Sequence, residues 1–402
     1  MTNVTATTPS APARATAPGR YVVLDPGDPA PWFTQRSGTN NAYAFDTAAG
    51  RYIVLCFLGS AGDAAGRAAL EAVAAHRGLF DDARISFFGV SNDPADEPAG
   101  RLRHSLPGLR FLLDFDGQVG RLYGALPAES PEGGARPPLR RFWLVLDPTM
   151  RVLARLPFAA DASDRAELFA LLRRLPAPGQ FAGIEVQAPV LYLPNVFEPE
   201  LCRRLVAAYE RQGGTESGVM RDVAGRTVNV NDHKYKRRRD CIIEDQELIQ
   251  VLQARIRRRV VPEILKIHCF QVTRMERYIV ACYAAEDEAH FRPHRDNTTL
   301  GTAHRRFAVS INLNDEFDGG EVSFPEYGPQ SFKAPPGGAV VFSCALLHAV
   351  SRVTRGKRYA FLPFLYDDAA AKIREANNQF LGEGVGSYRA GETRSEEPAK
   401  AG

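Results

Sequence analysis

Residues Glu276–Asp296 read ERYIVACYAAEDEAHFRPHRD, and the fold of the larger part of the chain turns on this stretch. It closes on His294-Arg295-Asp296. On an extended strand, residues i and i+2 face the same way, so His294 and Asp296 are expected to aim inward together while Arg295 points away. A second histidine, His348, lies in LLHAVSRVTRGKRYAFLPF, Leu346–Phe364. Between them come two apolar alternating runs, a Gly319-Gly320 pair and a Pro335–Gly338 turn. This pattern predicts an antiparallel barrel holding one metal. Two imidazoles and one carboxylate leave the other positions of an octahedral ion open. His-x-Asp alone is a common pair, and His348 alone could be a hydrogen-bonded core residue. Arg358, ten residues past His348, adds weight. It enters a run rich in Tyr, Phe and Leu, where an unpartnered cation is costly. A bound dicarboxylate would partner it, because a guanidinium matches a carboxylate bidentately.

On these residues, the segment from about 185 to 367 resembles the 2-oxoglutarate- and Fe(II)-dependent dioxygenases, in their prolyl 4-hydroxylase-like branch. The resemblance implies a double-stranded β-helix (jelly roll) with supporting helices over residues 185–368. It puts Fe(II) on His294, Asp296 and His348, and the far carboxylate of 2-oxoglutarate on Arg358. Tyr283 matches the tyrosine that helps hold the cosubstrate. Phe291 stands where many members have tyrosine, so that hydroxyl is missing. The run LNDEFDGGEVSFPEYG, Leu313–Gly328, matches the family's hairpin. Asn312 is unusual in a strand; it is a candidate cosubstrate contact or a satisfied polar group of the core, and Asn314 raises the same alternatives. The implied reaction is hydroxylation of an unactivated carbon by O2 and 2-oxoglutarate, releasing succinate and CO2, with ascorbate as a candidate reductant. The first substrate choice is a prolyl residue of a protein. A free amino acid or small natural-product intermediate is the alternative. A non-catalytic scaffold is the third reading, against which the intact constellation weighs.

The chain has 402 residues, 45% of them apolar and 24% charged, with a net charge of +3. That is enough for two or three domains. The charge gives no argument for nucleic acid. Six scattered cysteines without a C-x-x-C read as reduced, buried thiols of a cytoplasmic protein. Residues 1–20, rich in Ala, Thr, Pro and Ser, have no apolar run of signal-peptide length and read as a disordered tail. No stretch approaches the length needed to cross a bilayer.

Residues 21–176 alternate strands with helices, which implies an α/β sandwich. Arg51–Gly59 and Ala83–Val90 read as buried strands, Ala64–His76 as a helix, Leu109–Gly124 as strand, turn and helix, Arg140–Leu156 as two strands across an Asp-Pro turn, and Asp164–Arg174 as a closing helix. The order resembles the thioredoxin-like fold, closest to the peroxiredoxin branch. Peroxiredoxin chemistry needs a thiolate of lowered pKa at a helix N-terminus. In the matching loop, Gly59–Gly66, Gly66 occupies the cysteine's place, Asp63 the threonine's and Gly59 the proline's. The domain is therefore expected to be silent toward peroxide and to support the oxygenase, recruit substrate or pair subunits as a homodimer. Residues 177–184 read as a short linker.

Further on, Val190–Glu210 reads as strand, turn and helix. Arg221–Asp232 reads as a polar loop near the site mouth. His233–Asp240, HKYKRRRD, carries five basic residues. A second basic cluster lies at Arg255 and Arg257–Arg259, on a helix broken near Pro262. Both clusters read as solvated helix faces with acidic neighbours, against a groove for an acidic peptide or RNA. His268 begins a run of alternating strands, His290 is a weak ligand candidate, and His304 is expected at the surface or in a loop. Ser343 and Cys344 are candidate cavity residues. Residues 369–402 read as a helix, Ala369–Phe380, and a flexible tail; a Gly382, Gly384, Gly386 echo follows no strand and signals no dinucleotide site.

Overall fold

The computed structural model describes residues 21–38, 40–129, 138–382 and 385–389. The expectations for residues 1–20, for 390–402 of the last stretch and for the full Gly382–Gly386 echo lie outside them. The chain divides into two compact units. Among the described residues, one comprises 21–188 and Phe324–Pro329; the other comprises Pro189–Ser323 and 330–389.

The first unit opens with a hairpin that the sequence did not announce, β1 (Thr34–Ser37) and β2 (Asn40–Ala44). Then follow β3 (Tyr52–Gly59), α1 (Ala64–Ala75), β4 (Ile85–Ser91), β5 (Leu109–Leu113), α2 (Gln118–Leu122), β6 (Phe142–Leu146), β7 (Val152–Pro157) and α3 (Ser163–Arg174). The sheet order is β5-β4-β3-β6-β7. β3, β4 and β5 run parallel, β6 is antiparallel to β3, and β7 is antiparallel to β6. β3 is buried along its whole length, which is why its sequence is continuously apolar. Asp63 caps α1 by accepting from the Gly66 amide at 2.8 Å.

The second unit contains β8 (Leu191–Leu193), α4 (Pro199–Gln212), β9 (Thr215–Glu216), β10 (Val219–Val223), β11 (Arg226–Val230), β12 (Lys236–Arg237), β13 (Arg239–Ile242), α5 (Gln246–Arg259) and α6 (Val261–His268). It continues with β14 (Arg274–Glu276), β15 (Ile279–Ala284), β16 (His290–His294), β17 (Phe307–Asn312), β18 (Phe317–Asp318), β19 (Val322–Ser323), β20 (Ser331–Phe332), β21 (Ala339–Ser343), β22 (His348–Val350), β23 (Arg355–Phe361), β24 (Phe364–Tyr366) and α7 (Asp368–Ala376). Its two main sheets are antiparallel. The larger has ten strands, with the path β14-β24-β17-β23-β15-β13-β9 and with β21, β8 and β18 attached; the smaller runs β12-β16-β22-β19-β20.

Period-two alternation divides the larger sheet into two faces. Val309, Ile311, Tyr359, Phe361, Val280 and Cys282 join Leu201 and Leu205 of α4 and Leu252 and Ile256 of α5 in one buried cluster. Each of these large apolar side chains contributes roughly 2 kcal/mol by leaving water. The other face carries Tyr283, Ser310, Asn312 and Arg358. The helices therefore hold the sheet from behind and leave that face for the site.

Several expectations need correction. Arg221–Asp232 is largely the β10–β11 hairpin, not a loop. The basic run His233–Asp240 lies on β12 and β13, and Lys236 and Arg238 are buried rather than solvated. Alternation explains it within the paired strands: positions 236 and 238 turn in, whereas Arg239 stays exposed. In the second cluster, Arg255 and Arg259 share Glu198, at 3.0 and 2.6 Å. His268 ends α6 and is exposed rather than opening a strand. His304 is in a loop but buried, 3.1 Å from the Glu276 carboxylate. Five of the six cysteines are buried; Cys269, the αL residue that stops α6, is exposed.

Candidate metal and cosubstrate site

β16 and β22 pair with His294 opposite His348. The two imidazoles thus come from adjacent strands of the smaller sheet. Asp296 lies in the turn just past β16, and its amide donates to the Cys344 carbonyl at 2.9 Å. It is this pinned turn, rather than a continued strand, that brings the carboxylate back. Arg295 does leave the cluster, but it is buried and donates to the Ala345 carbonyl. The Asp296 oxygens lie 3.6 Å from His294 Nε2 and 3.3 Å from His348 Nε2. One donor atom from each residue falls within 4.8 Å of the others.

Both rings are oriented in the same way. His294 Nδ1 meets the Arg292 carbonyl at 2.8 Å, and His348 Nδ1 meets the Leu346 carbonyl at 3.0 Å. An Nδ1–H donated to a carbonyl leaves the Nε2 lone pair for a metal. Phe291 stacks on His294 with centroids 3.4 Å apart, and Phe342 of the larger sheet lies 4.6 Å from His348. Burial, then the neighbouring His348, hold His294 well below its ordinary pKa, in the neutral form that ligates. Burial pushes Asp296 up, but His348, His294, Arg305 and Arg277 outweigh it, so the carboxyl sits below its usual value. Two imidazoles, each with its Nδ1 fixed, and a carboxylate fit Fe(II).

Across the sheets, Tyr283 and Arg358 are register partners on β15 and β23. Arg358 is 1% exposed. Its Nε donates to Asn312 Oδ1 at 2.9 Å and its Nη2 to Ser310 Oγ at 2.7 Å. Nη1 is buried without a hydrogen-bond partner. Gly320, at φ +71°, lies where a Cβ would stand 2.9 Å from the arginine's Cδ, so the glycine makes room for its stem. The guanidinium lies 5.3 Å from the Tyr283 ring centroid. An orphaned donor of a buried, permanently charged group is costly, and a carboxylate oxygen is the acceptor that relieves it. Asn312 is committed at both ends, since its Nδ2 donates to the Ala334 carbonyl at 2.7 Å. Asn314 ties β23 through the Lys357 carbonyl and the Tyr359 amide.

Sequence reasoning missed Ser310, Lys236 and Arg238. The signal for Ser310 was its place two residues before Asn312, on the same face. Arg238 chelates Asp240 through Nε and Nη2, both at 2.7 Å, and its Nη1 donates to the Tyr283 hydroxyl at 3.3 Å. His290 is turned to the Glu288 carbonyl and does not join the metal cluster. Cys344 is fully buried; burial, then the Asp296 charge, push its thiol well up. A surface cleft of about 400 Å³, lined by Lys234, Arg237, His290 and Phe291 among others, adjoins the site through Phe291.

The class that this site defines is a mononuclear two-histidine, one-carboxylate metal enzyme. Residues 278–366 match the family model described as the 2OG-Fe(II) oxygenase superfamily. It is similar to a PKHD-type hydroxylase of Gluconobacter oxydans, 38% identical over 80 residues, covering 18% of this chain and 35% of the relative. A PKHD-type hydroxylase of Cupriavidus metallidurans is 39% identical over 80 residues, covering 17% and 35%. The chain thus spans about a third of the length of these curated relatives. Among solved structures it resembles a prolyl hydroxylase from Trichoplax adhaerens in complex with a hypoxia inducible factor peptide fragment, at 17% identity and a TM-score of 0.37, covering 46% of this chain and 85% of that one. No helix among the described residues is long and apolar enough to cross a membrane.

Proposed function

We propose that the second unit is a 2-oxoglutarate- and Fe(II)-dependent dioxygenase that hydroxylates an unactivated carbon, with a prolyl residue of a protein as the first substrate choice. One observation carries the cosubstrate reading: the buried Nη1 of Arg358 lacks an acceptor on the interior face of the sheet opposite the metal cluster. His294, Asp296 and His348 hold Fe(II), which with O2 and 2-oxoglutarate supplies the oxidising chemistry: one oxygen atom goes into the substrate C–H and the other into succinate, with loss of CO2. The protein's part is positioning. Arg358 grips the far carboxylate of the cosubstrate, Ser310 and Asn312 hold its guanidinium in place, and Tyr283 supports it with ring and hydroxyl. Phe291 and Phe342 wall the imidazoles and exclude water. No general base is required.

A second reading, hydroxylation of a small acid such as a free amino acid, draws support from the buried side chain of Lys236, which has no carboxylate partner among the described residues. A succinate-release assay with Fe(II), 2-oxoglutarate and two substrate panels separates the readings. Stimulation by prolyl peptides supports the first, stimulation by small acids alone supports the second, and absence of both metal and cosubstrate binding overturns the assignment.

For the first unit, we propose a thioredoxin-like domain, residues 21–176, that does no peroxide chemistry. Support comes from its mixed sheet order and from Gly66, where a Cβ would stand 1.8 Å from the Ser60 carbonyl oxygen. This backbone has no room for a cysteine there. Cys56 is buried within β3, and burial raises its thiol well above the ordinary range.

A further inference from the structure

Lys236 is a buried amine that the proposed chemistry leaves unused. It is 5% exposed. Its Nζ donates to Ser217 Oγ and to the Gly218 carbonyl, both at 2.7 Å. These are neutral acceptors, and no carboxylate of the described residues lies within ion-pairing distance of it. The nearby Asp240 is already engaged: Arg238 chelates it and Arg277 reaches it at 3.1 Å. Two arginines and one lysine therefore surround a single carboxylate.

The neighbourhood of Lys236 is the metal side of the interior. Its Nζ lies 5.0 Å from the Phe291 ring centroid, and that ring stacks on His294 at 3.4 Å. Burial, then the Arg238 charge, hold Lys236 well below its ordinary pKa, while Asp240 and Asp296 pull it back up, so an arriving anion would favour its charged form. Arg238 stands between the two side chains: it shares Ser217 Oγ with Lys236 and reaches the Tyr283 hydroxyl beside Arg358. The cosubstrate does not supply the missing anion. Its two carboxylates are accounted for by the metal end and by Arg358. With Fe(II), Asp296, Arg358 and the dianion in place the charges there cancel, whereas Arg238 and Arg277 already outnumber Asp240 and leave Lys236 no anion of its own. Excess buried charge of one sign is costly unless an opposite charge arrives.

On the dioxygenase reading above, we propose that Lys236 is a specificity residue that binds a carboxylate of the primary substrate beside the metal. The same chemistry is offered by the free carboxylate of a small acid and by an acidic or C-terminal carboxylate of a peptide. An uncharged internal prolyl segment lacks it. A lysine kept only to pin Ser217 and Gly218 at the base of the β10–β11 hairpin would show no preference between an acid and its amide.

The test is calorimetric and needs no turnover. The full chain is loaded anaerobically with Fe(II) and saturating 2-oxoglutarate. It is then titrated with L-proline, L-prolinamide, and prolyl peptides with free, amidated and aspartate-flanked ends. We expect at least one carboxylate probe to bind about tenfold more tightly than its amide. In Lys236→Met that preference should vanish, while Lys236→Arg should retain it and 2-oxoglutarate affinity should stay unchanged in both. Preference for L-proline identifies a small acid, and preference confined to peptides identifies a peptide carboxylate. Equal binding of acid and amide, no binding of any probe, or a preference that survives Lys236→Met overturns the proposal. Failure of the wild-type chain to take up 2-oxoglutarate instead overturns the dioxygenase reading itself.

Discussion

The Gly59–Gly66 loop of the first unit and the interior of the second unit treat polar groups in opposite ways. In the loop, every buried charge is answered locally. Asp96 is fully buried yet accepts from Ser91 Oγ, the Ala61 amide and Arg101. Asp63 caps α1 and pairs with Arg141, and the space at position 66 is closed by the Ser60 carbonyl. In the second unit, Arg358 Nη1 has no acceptor and Lys236 has no counter-ion. On the proposed reading, the difference is what a working site would require: it leaves buried donors unanswered until a ligand brings the answer, whereas the loop proposed to do no chemistry is packed and balanced.

The contrast can be broken most decisively at the metal. His294→Ala or Asp296→Ala should lower 2-oxoglutarate turnover by about a thousandfold or more, measured as succinate release, because loss of one of three ligands removes the centre. Bound iron, measured by elemental analysis, should fall in parallel. Arg358→Ala comes next. Loss of a bidentate carboxylate contact should raise the KM for 2-oxoglutarate by about a hundredfold with a smaller effect on kcat; an unchanged KM would remove the arginine from the cosubstrate site.

On the other side, Gly66→Cys sharpens the comparison. The account expects no peroxidase activity and a loss of about 3 kcal/mol of stability from overpacking, read by denaturant unfolding. A fast peroxide-reactive thiol in that variant would show that the loop still holds the machinery. The smallest effect is the pH response of the first unit's Asp82. Arg110 grips it at 2.6 and 2.7 Å. Burial alone would raise its pKa, but the Arg110 and Ser86 hydrogen bonds bring it down to about 2. A carboxyl depressed on folding stabilises fully above its unfolded pKa, about 3.9, and loses that contribution as pH falls toward 2. Asp82→Asn should remove about 1–2 kcal/mol at neutral pH and flatten the unfolding profile across that window.

Much of this was readable in the sequence where spacing alone carries the physics. The i, i+2 pair at His294 and Asp296, the distal His348 and the displaced Arg358 all came from positions along strands. The way the pair converges did not, because the turn that carries Asp296 depends on a hydrogen bond to Cys344, 48 residues away. Lys236 and Arg238 were misjudged for a related reason. Five basic residues in a short run look solvated on composition, and only pairing of β12 with β16 and β13 with β15 decides which of them turn inward. Ser310 escaped because a hydroxyl in an apolar strand gives no signal until an arginine is known to face it.

The most direct measurement is anaerobic calorimetry of 2-oxoglutarate binding to the full chain, with and without Fe(II), for wild type and Arg358→Ala. The account predicts one equivalent bound to the wild type, dependent on the metal and weakened about a hundredfold by the substitution. Absence of binding, or equal affinity with and without iron and with and without the guanidinium, would contradict it.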